Sequence, residues 1–196
     1  MKIKASEARY ERKDDAQKEI KVLEHVTEKL HLLEPSVVGG LASIHLPDGS
    51  TSITGPNGLH QCILYQPMRE TLSDWRNAFE HEGLPLFLIK IYVAALLDAL
   101  SLLHARKVVH TDITLGNIFM TYEDASVLTM QLEDVLKSPR EHKVDSKGRC
   151  IFLSRSTFPA LKEPIREFLT KAFPKLADFG SADIQPHDAV GAITVS

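Results

Sequence analysis

Apolar residues recur at helical spacing through DDAQKEIKVLEHVTEKLHLL, residues 14–33, where Leu23, Val26 and Leu30 share a face. That pattern predicts an amphipathic helix. Asp14 and Asp15 stand at its start, where the positive end of the helix dipole favours carboxylates. Glu19 precedes Leu23 by one turn and so shares the apolar face. Helix geometry alone leaves two readings of it open: a side chain at the edge of the stripe reaching water, or a carboxylate facing a cation inside. Met1 to Ala5 reads as the tail of a strand. VVGGLASIHLP (37–47) and HQCILYQPM (60–68) read as strands, with DGS and GPNG as turns between them. Pro67 limits the second strand.

TLSDWRNAF (71–79) predicts a short helix, capped by Ser73. A long helix from about Pro85 to Ala105 is apolar nearly all round and needs partners on several sides. Lys90 and Asp98 within it favour a buried helix over a membrane span. KVVH (107–110) and NIFM (117–120) read as short strands joined by a loop, the kind of segment on which catalytic groups sit. Residues 121–174 look like an insertion: VLTMQLEDVL as helix, SPREHKVDSKG as polar loop, RCIFLS as strand and LKEPIREFLTKAF as helix. KLADFGSAD (175–183) then returns as a strand and a turn.

At 43% hydrophobic and 25% charged residues, the 196-residue chain suits a soluble globular protein of one large domain or two small ones, long enough to bury a real core. A net charge of −3 makes no electrostatic case for nucleic acid or an anionic membrane as partner. Cys62 and Cys150 lie far apart without metal-ligand spacing and read as reduced thiols. The first twenty residues are mostly polar and charged, unlike a signal peptide.

Phosphoryl transfer from a nucleotide requires divalent metal across the phosphates, a cation to steady them and a carboxylate to orient the attacking hydroxyl. Magnesium takes hard oxygen ligands, commonly only one or two from protein. Asn117 and Asp178 offer an amide oxygen and a carboxylate for that metal. Asp112, on the same loop as Asn117, is then free to accept a hydroxyl proton. His110 reads as a structural residue orienting the loop backbone, not as a general base.

HTDITLGN (110–117) resembles the H-R-D-x-x-x-x-N catalytic loop of protein kinases, and DFG at Asp178–Gly180 resembles their metal-binding motif. Each is weak alone; their order, flanking strands and preceding apolar helix make the pair specific. The resemblance implies ATP and Mg2+ as cofactors and an α+β, two-lobe kinase-like fold. It implies Lys2 as the phosphate-binding lysine, with Lys4 second, and Glu19 as its helix partner. It implies CILYQPM as the hinge between lobes, with Tyr65 at the back of the adenine pocket and the backbone of Gln66 to Met68 bonding the base. HTDI, GPNGLHQCILYQPM, DFGSAD and the insertion narrow the likeness to a fungal branch similar to kinases of serine/arginine-rich splicing factors. That branch implies a protein substrate rich in Ser and Arg, and a cytoplasmic or nuclear location.

The resemblance covers only part of a kinase: residues 1–66 as part of the small lobe and 67–196 as part of the large lobe, truncated at both ends. No glycine-rich loop precedes Lys2, and no A-P-E motif follows Gly180. Helices that normally cover the one at Pro85–Ala105 are then missing, so an exposed apolar patch is expected. Thr114 stands where such enzymes carry a lysine, and Thr111 where an arginine reaches the phosphorylated activation loop. Three functions compete: a serine/threonine protein kinase, a degenerate kinase-like module that binds nucleotide or a partner without turnover, and a small-molecule kinase of the aminoglycoside or choline type. The GPNG–hinge segment and the DFGSAD ending favour the protein-kinase branch over the third, while the missing glycine-rich loop and Thr114 support the second and retention of Asp112, Asn117 and Asp178 argues against complete decay.

Overall fold

The computed structural model describes residues 2–3, 12–55, 58–78, 85–122, 126–137, 142–146, 148, 150–152 and 172–186. Strand β1 (Lys2–Ile3) is followed by helix α1 (Arg12–Thr27). Val22, Leu23 and Val26 are buried along one face of α1, and Glu19 is buried beside them. The helix ends earlier than its periodicity predicts. Lys29 turns left-handed (φ 53°), and Leu30 falls in a separate 3₁₀ turn, Leu30–Leu32.

The first predicted strand is corrected. Residues 37–43 do not run extended: a short helix α2 (Pro35–Val38) passes into a 3₁₀ turn, Gly39–Ser43, and only at Ile44, which bridges Leu176, does the chain become extended. Pro35 at the first helical position presets φ for a helix. Gly40 lies against the long helix so closely that an added Cβ would meet the Asp98 carbonyl oxygen. Packing overrides the β preference of Val37 and Val38 here. The strand starts instead at Pro47. β2 (Pro47–Gly55) pairs antiparallel with β3 (Gly58–Tyr65), Ser50 opposite Ile63 and Thr54 opposite Leu59. The DGS segment thus lies inside a strand. β2 is an edge strand in the order β1–β3–β2 and is largely exposed, so it shows no hydrophobic alternation to read.

Helix α3 (Leu72–Ala78) opens on a reciprocal cap formed by Thr71 and Asp74, not by Ser73. The Asp74 N–H donates to Thr71 Oγ1 at 3.2 Å, and the Thr71 N–H donates to Asp74 Oδ2 at 3.1 Å. Helix α4 (Leu86–Ala105) follows Pro85 and is long and apolar enough to cross a membrane by length and composition. It buries Leu88, Tyr92, Ala99, Leu102 and Leu103. The expectation of burial on several sides holds for one face only: Leu86, Ile89, Val93 and Leu97 form an exposed stripe.

Beyond α4 come β4 (Val108–Val109), β5 (Ile118–Met120) and helix α5 (Ser126–Lys137). Then follow β6 (His142–Val144), β7 (Cys150–Phe152), β8 (Pro174–Leu176) and β9 (Asp183–Ile184). The predicted polar loop at 138–148 contains β6, which pairs with β7. The helix predicted at 161–173 lies outside the described residues up to 171. Both cysteines are free thiols.

One core joins these parts. Val22, Leu23 and Val26 of α1 meet the buried side of α4, and with them Ile44, Val108, Ile118, Met120, Leu176 and Phe179. Each fully buried aliphatic side chain contributes about 1.5–3 kcal/mol. The ends of α1 and α4 are stapled by polar bonds. Arg106 donates from Nη2 to the His25 carbonyl at 2.7 Å, and His25 Nε2 donates to the Arg106 carbonyl at 2.9 Å.

Candidate active site

Two short antiparallel ladders bring the HTD loop and the DFG segment together across the inserted stretch. β5 pairs with β8, Ile118 opposite Leu176, and β4 pairs with β9, Val108 opposite Ile184. Ladders of two or three residues are not stable alone; buried Val108, Ile118, Met120 and Leu176 anchor them in the core. Between the ladders the segments are bonded directly. The Ala177 N–H donates to the Asn117 carbonyl at 2.9 Å, and Thr111 Oγ1 donates to the Ser181 carbonyl at 3.0 Å.

His110 is buried and forms the third link. Its Nε2 donates to the Ala177 carbonyl at 3.0 Å, and its Nδ1 accepts from the Asp112 N–H at 3.3 Å. Both bonds require the neutral ring protonated on Nε2. Burial pushes its pKa below the ordinary histidine value and so favours that form. This agrees with a structural role for His110 and leaves it no free nitrogen to act as a base.

Asp178 adopts a left-handed conformation (φ 62°, ψ 69°), as does Thr111 (φ 67°). Such values are uncommon outside glycine, and for a β-branched residue they mark strain held by surrounding contacts. At Asp178 the reversal keeps the aspartate exposed while Phe179 is buried. The Phe179 ring meets His110 edge-on, centroids 4.7 Å apart.

Asn117 reaches Asp112 twice. Its Nδ2 donates to the Asp112 carbonyl at 3.0 Å and to Asp112 Oδ2 at 2.9 Å. Both partners are acceptors, so the amide nitrogen must face them. Oδ1 therefore points away from Asp112 and has no hydrogen-bond partner among the described residues. Among the described residues no group of three or more His, Cys, Asp or Glu could hold a metal. A site at Asn117 and Asp178 would rest on one amide oxygen and one carboxylate, the sparse protein contribution that magnesium tolerates.

Glu19 is only 1% exposed, which overturns the reading of it as a water-reaching edge residue. Tyr65 donates its hydroxyl to Glu19 Oε1 at 2.8 Å. Burial and then the Glu19 charge raise the tyrosine pKa. The backbone of Lys2 pairs with Ile63 of β3, but its side chain, like all of Lys4, lies outside the described residues. Just after β3, the Gln66 carbonyl accepts from His45 Nε2 at 3.1 Å and the Met68 carbonyl accepts from the Tyr122 hydroxyl at 3.0 Å. The Met68 N–H has no partner among the described residues.

Three relationships escaped the sequence: the Tyr65–Glu19 bond, the His25–Arg106 staple and the hold of His45 on the hinge. Each joins residues distant in the chain, and no local spacing marks them.

No family model matches the chain. It is 32% identical over 129 residues to the serine/threonine-protein kinase SKY1 of Saccharomyces cerevisiae, covering 65% of this chain and 17% of that protein. It is 31% identical over 174 residues to a serine/threonine protein kinase of Aspergillus fumigatus, covering 88% of this chain and 38% of that protein. It is 33% identical over 82 residues to SRSF protein kinase 3 of Mus musculus, covering 41% of this chain and 14% of that protein. The chain therefore spans well under half the length of the curated relatives it matches. Its mixed helix and strand content fits a protein kinase-like α+β fold. The chain is thus similar, at about 30% identity over part of their length, to fungal serine/threonine protein kinases and to an SRSF protein kinase.

Proposed function

We propose that this chain carries catalytic machinery for transferring the γ-phosphoryl group of ATP to a Ser or Thr hydroxyl of a protein substrate. The observation that carries the reading is the pair of hydrogen bonds from Asn117 Nδ2 to Asp112, together with the Ala177–Asn117 backbone bond. Asp112, Asn117 and the residue next to Asp178 are thereby linked through three hydrogen bonds. Asp112 orients the attacking hydroxyl and accepts its proton. Asn117 Oδ1 and the Asp178 carboxylate would hold magnesium, which would supply neutralisation of charge on the phosphates. Lys2 steadies the phosphates and pairs with Glu19, which Tyr65 orients. The Met68 N–H donates to the adenine, beside Tyr65 and Gln66.

On this reading residues 1–66 belong to the small lobe and 67–196 to the large lobe, with the insertion at about 121–174. The name of the SRSF protein kinase relative supports a substrate rich in Ser and Arg, and a cytoplasmic or nuclear site of action goes with that reading. A second reading, a nucleotide- or partner-binding module without turnover, is favoured by Thr114. It removes a cation from a site where charge stabilisation dominates.

Phosphate transfer from Mg-ATP to a basic Ser-rich peptide tests the first reading. Asp112→Asn is expected to lower the rate about 10²–10⁴-fold while nucleotide affinity is retained. Asp178→Ala is expected to lose metal-dependent nucleotide binding. Wild-type protein that binds nucleotide but transfers nothing moves the assignment to the binding module. Metal-dependent nucleotide binding that survives Asp178→Ala removes both.

A further inference from the structure

A cavity of about 680 Å³ opens between the hinge, the Leu41–Asp48 segment, the start of α5 and β8. Gln66, Pro67 and Met68 line it, so it adjoins the proposed adenine-binding segment, whereas Asp112, Asn117, Asp178 and Glu19 are not part of its lining. Its volume falls within the ~300–1,000 Å³ typical of small-molecule sites. Leu41, Ile44, Leu46 and Leu128 supply apolar walls.

One cation enters this apolar setting. In β8, Pro174 and Leu176 are buried, while Lys175 between them faces the opposite way, toward the cavity. Lys175 is half-buried and makes no ion pair among the described residues. Loss of solvent lowers its pKa, as expected for an ammonium without a counter-ion. Asp48, a carboxylate in the lining, is exposed and does not pair with it. His45 is already engaged: its Nε2 bonds the Gln66 carbonyl and its ring lies 4.7 Å from that of Tyr65. That leaves Lys175 as the polar anchor of a mostly apolar cavity.

We propose that this cavity binds a small amphiphilic anion, with a carboxylate on Lys175 and an apolar body against Leu41, Leu46 and Leu128. Isothermal titration of the full 196-residue chain with decanoate and with decanol, below micelle formation, tests it. Decanoate is expected to saturate one site and to bind at least about tenfold more tightly than decanol, because a charge-assisted bond is added. Lys175→Met keeps the aliphatic bulk and is expected to bring decanoate down to the affinity of decanol. Asp48→Asn removes the nearby negative charge at an exposed position and is expected to tighten decanoate severalfold. Nonspecific uptake on the exposed stripe of α4 would treat acid and alcohol alike and ignore Lys175. Absence of decanoate binding, equal binding of both ligands, or indifference to Lys175→Met overturns the proposal. If Lys175→Met does not fold, failure of Asp48→Asn to tighten decanoate overturns it instead.

Discussion

The Tyr65 hydroxyl donates to Glu19 Oε1 across 2.8 Å, tying the end of β3 to the middle of α1. The carboxylate that the kinase resemblance pairs with Lys2 is thus oriented from the hinge side by a residue 46 positions away. A hydrogen bond to a charged acceptor in a buried setting contributes about 1.5–3 kcal/mol. Tyr65→Phe is expected to lower unfolding free energy by that amount in urea titrations and to raise the KM for ATP. A loss below about 0.5 kcal/mol, within the usual range for neutral substitutions, would show that the bond does not hold α1 in place.

Acid is expected to destabilise the fold through two histidines. Burial lowers the pKa of both His110 and His45 from 6.5. As the pH falls through that value, the unfolded chain takes up protons that the folded histidines refuse. Stability is therefore greatest above pH 6.5 and declines on acidification until the folded rings titrate as well. The slope is at most ~1.4 kcal/mol per pH unit for each histidine. His45→Gln retains an amide donor for the Gln66 carbonyl and is expected to flatten the decline in unfolding experiments between about pH 7.5 and 5. An unchanged slope would remove His45 from this account.

Gly40 sits where the 3₁₀ turn meets α4, and a Cβ there would collide with the Asp98 carbonyl oxygen. The obstruction is backbone, so no side-chain rotation relieves it. Gly40→Ala is expected to cost about 2 kcal/mol or more. Gly39→Ala, with open space around its Cβ, is the control and is expected to change little. Equal melting temperatures for the two variants would contradict the close approach.

The stripe of Leu86, Ile89, Val93 and Leu97 on α4 is expected to bind a hydrophobic dye and to limit solubility. Replacing Ile89 and Val93 by Lys and Glu is expected to reduce dye fluorescence and raise solubility. Exposed helical positions of this kind shift stability within about 0.5 kcal/mol. A wild-type monomer that stays monodisperse and binds no dye would show that the stripe is covered in solution.

Local order was legible where one short segment carries its own signal. The heptad-like spacing of Leu23 and Val26, the apolar run of α4 and the short strands around HTDITLGN all follow from periodicities set by backbone geometry. The failures occurred where packing overrules that geometry. Residues 37–43 contain β-branched and apolar residues, yet fold as helical turns, with Gly40 fitted against Asp98. β2 went unread because an exposed edge strand has no buried face to impose alternation.

The sequence by itself determined which chemical groups are available: a carboxylate and an amide at fixed spacing on one loop, and an aspartate in DFG far beyond it. It could not determine that His110, Thr111 and Asn117 bond to Ala177 and Ser181, nor that Asn117 turns its nitrogen to Asp112. Contacts across a long insertion depend on how separate segments share one core. That is decided by the summed burial of Val108, Ile118, Met120, Leu176 and Phe179, not by any signal local to the motifs.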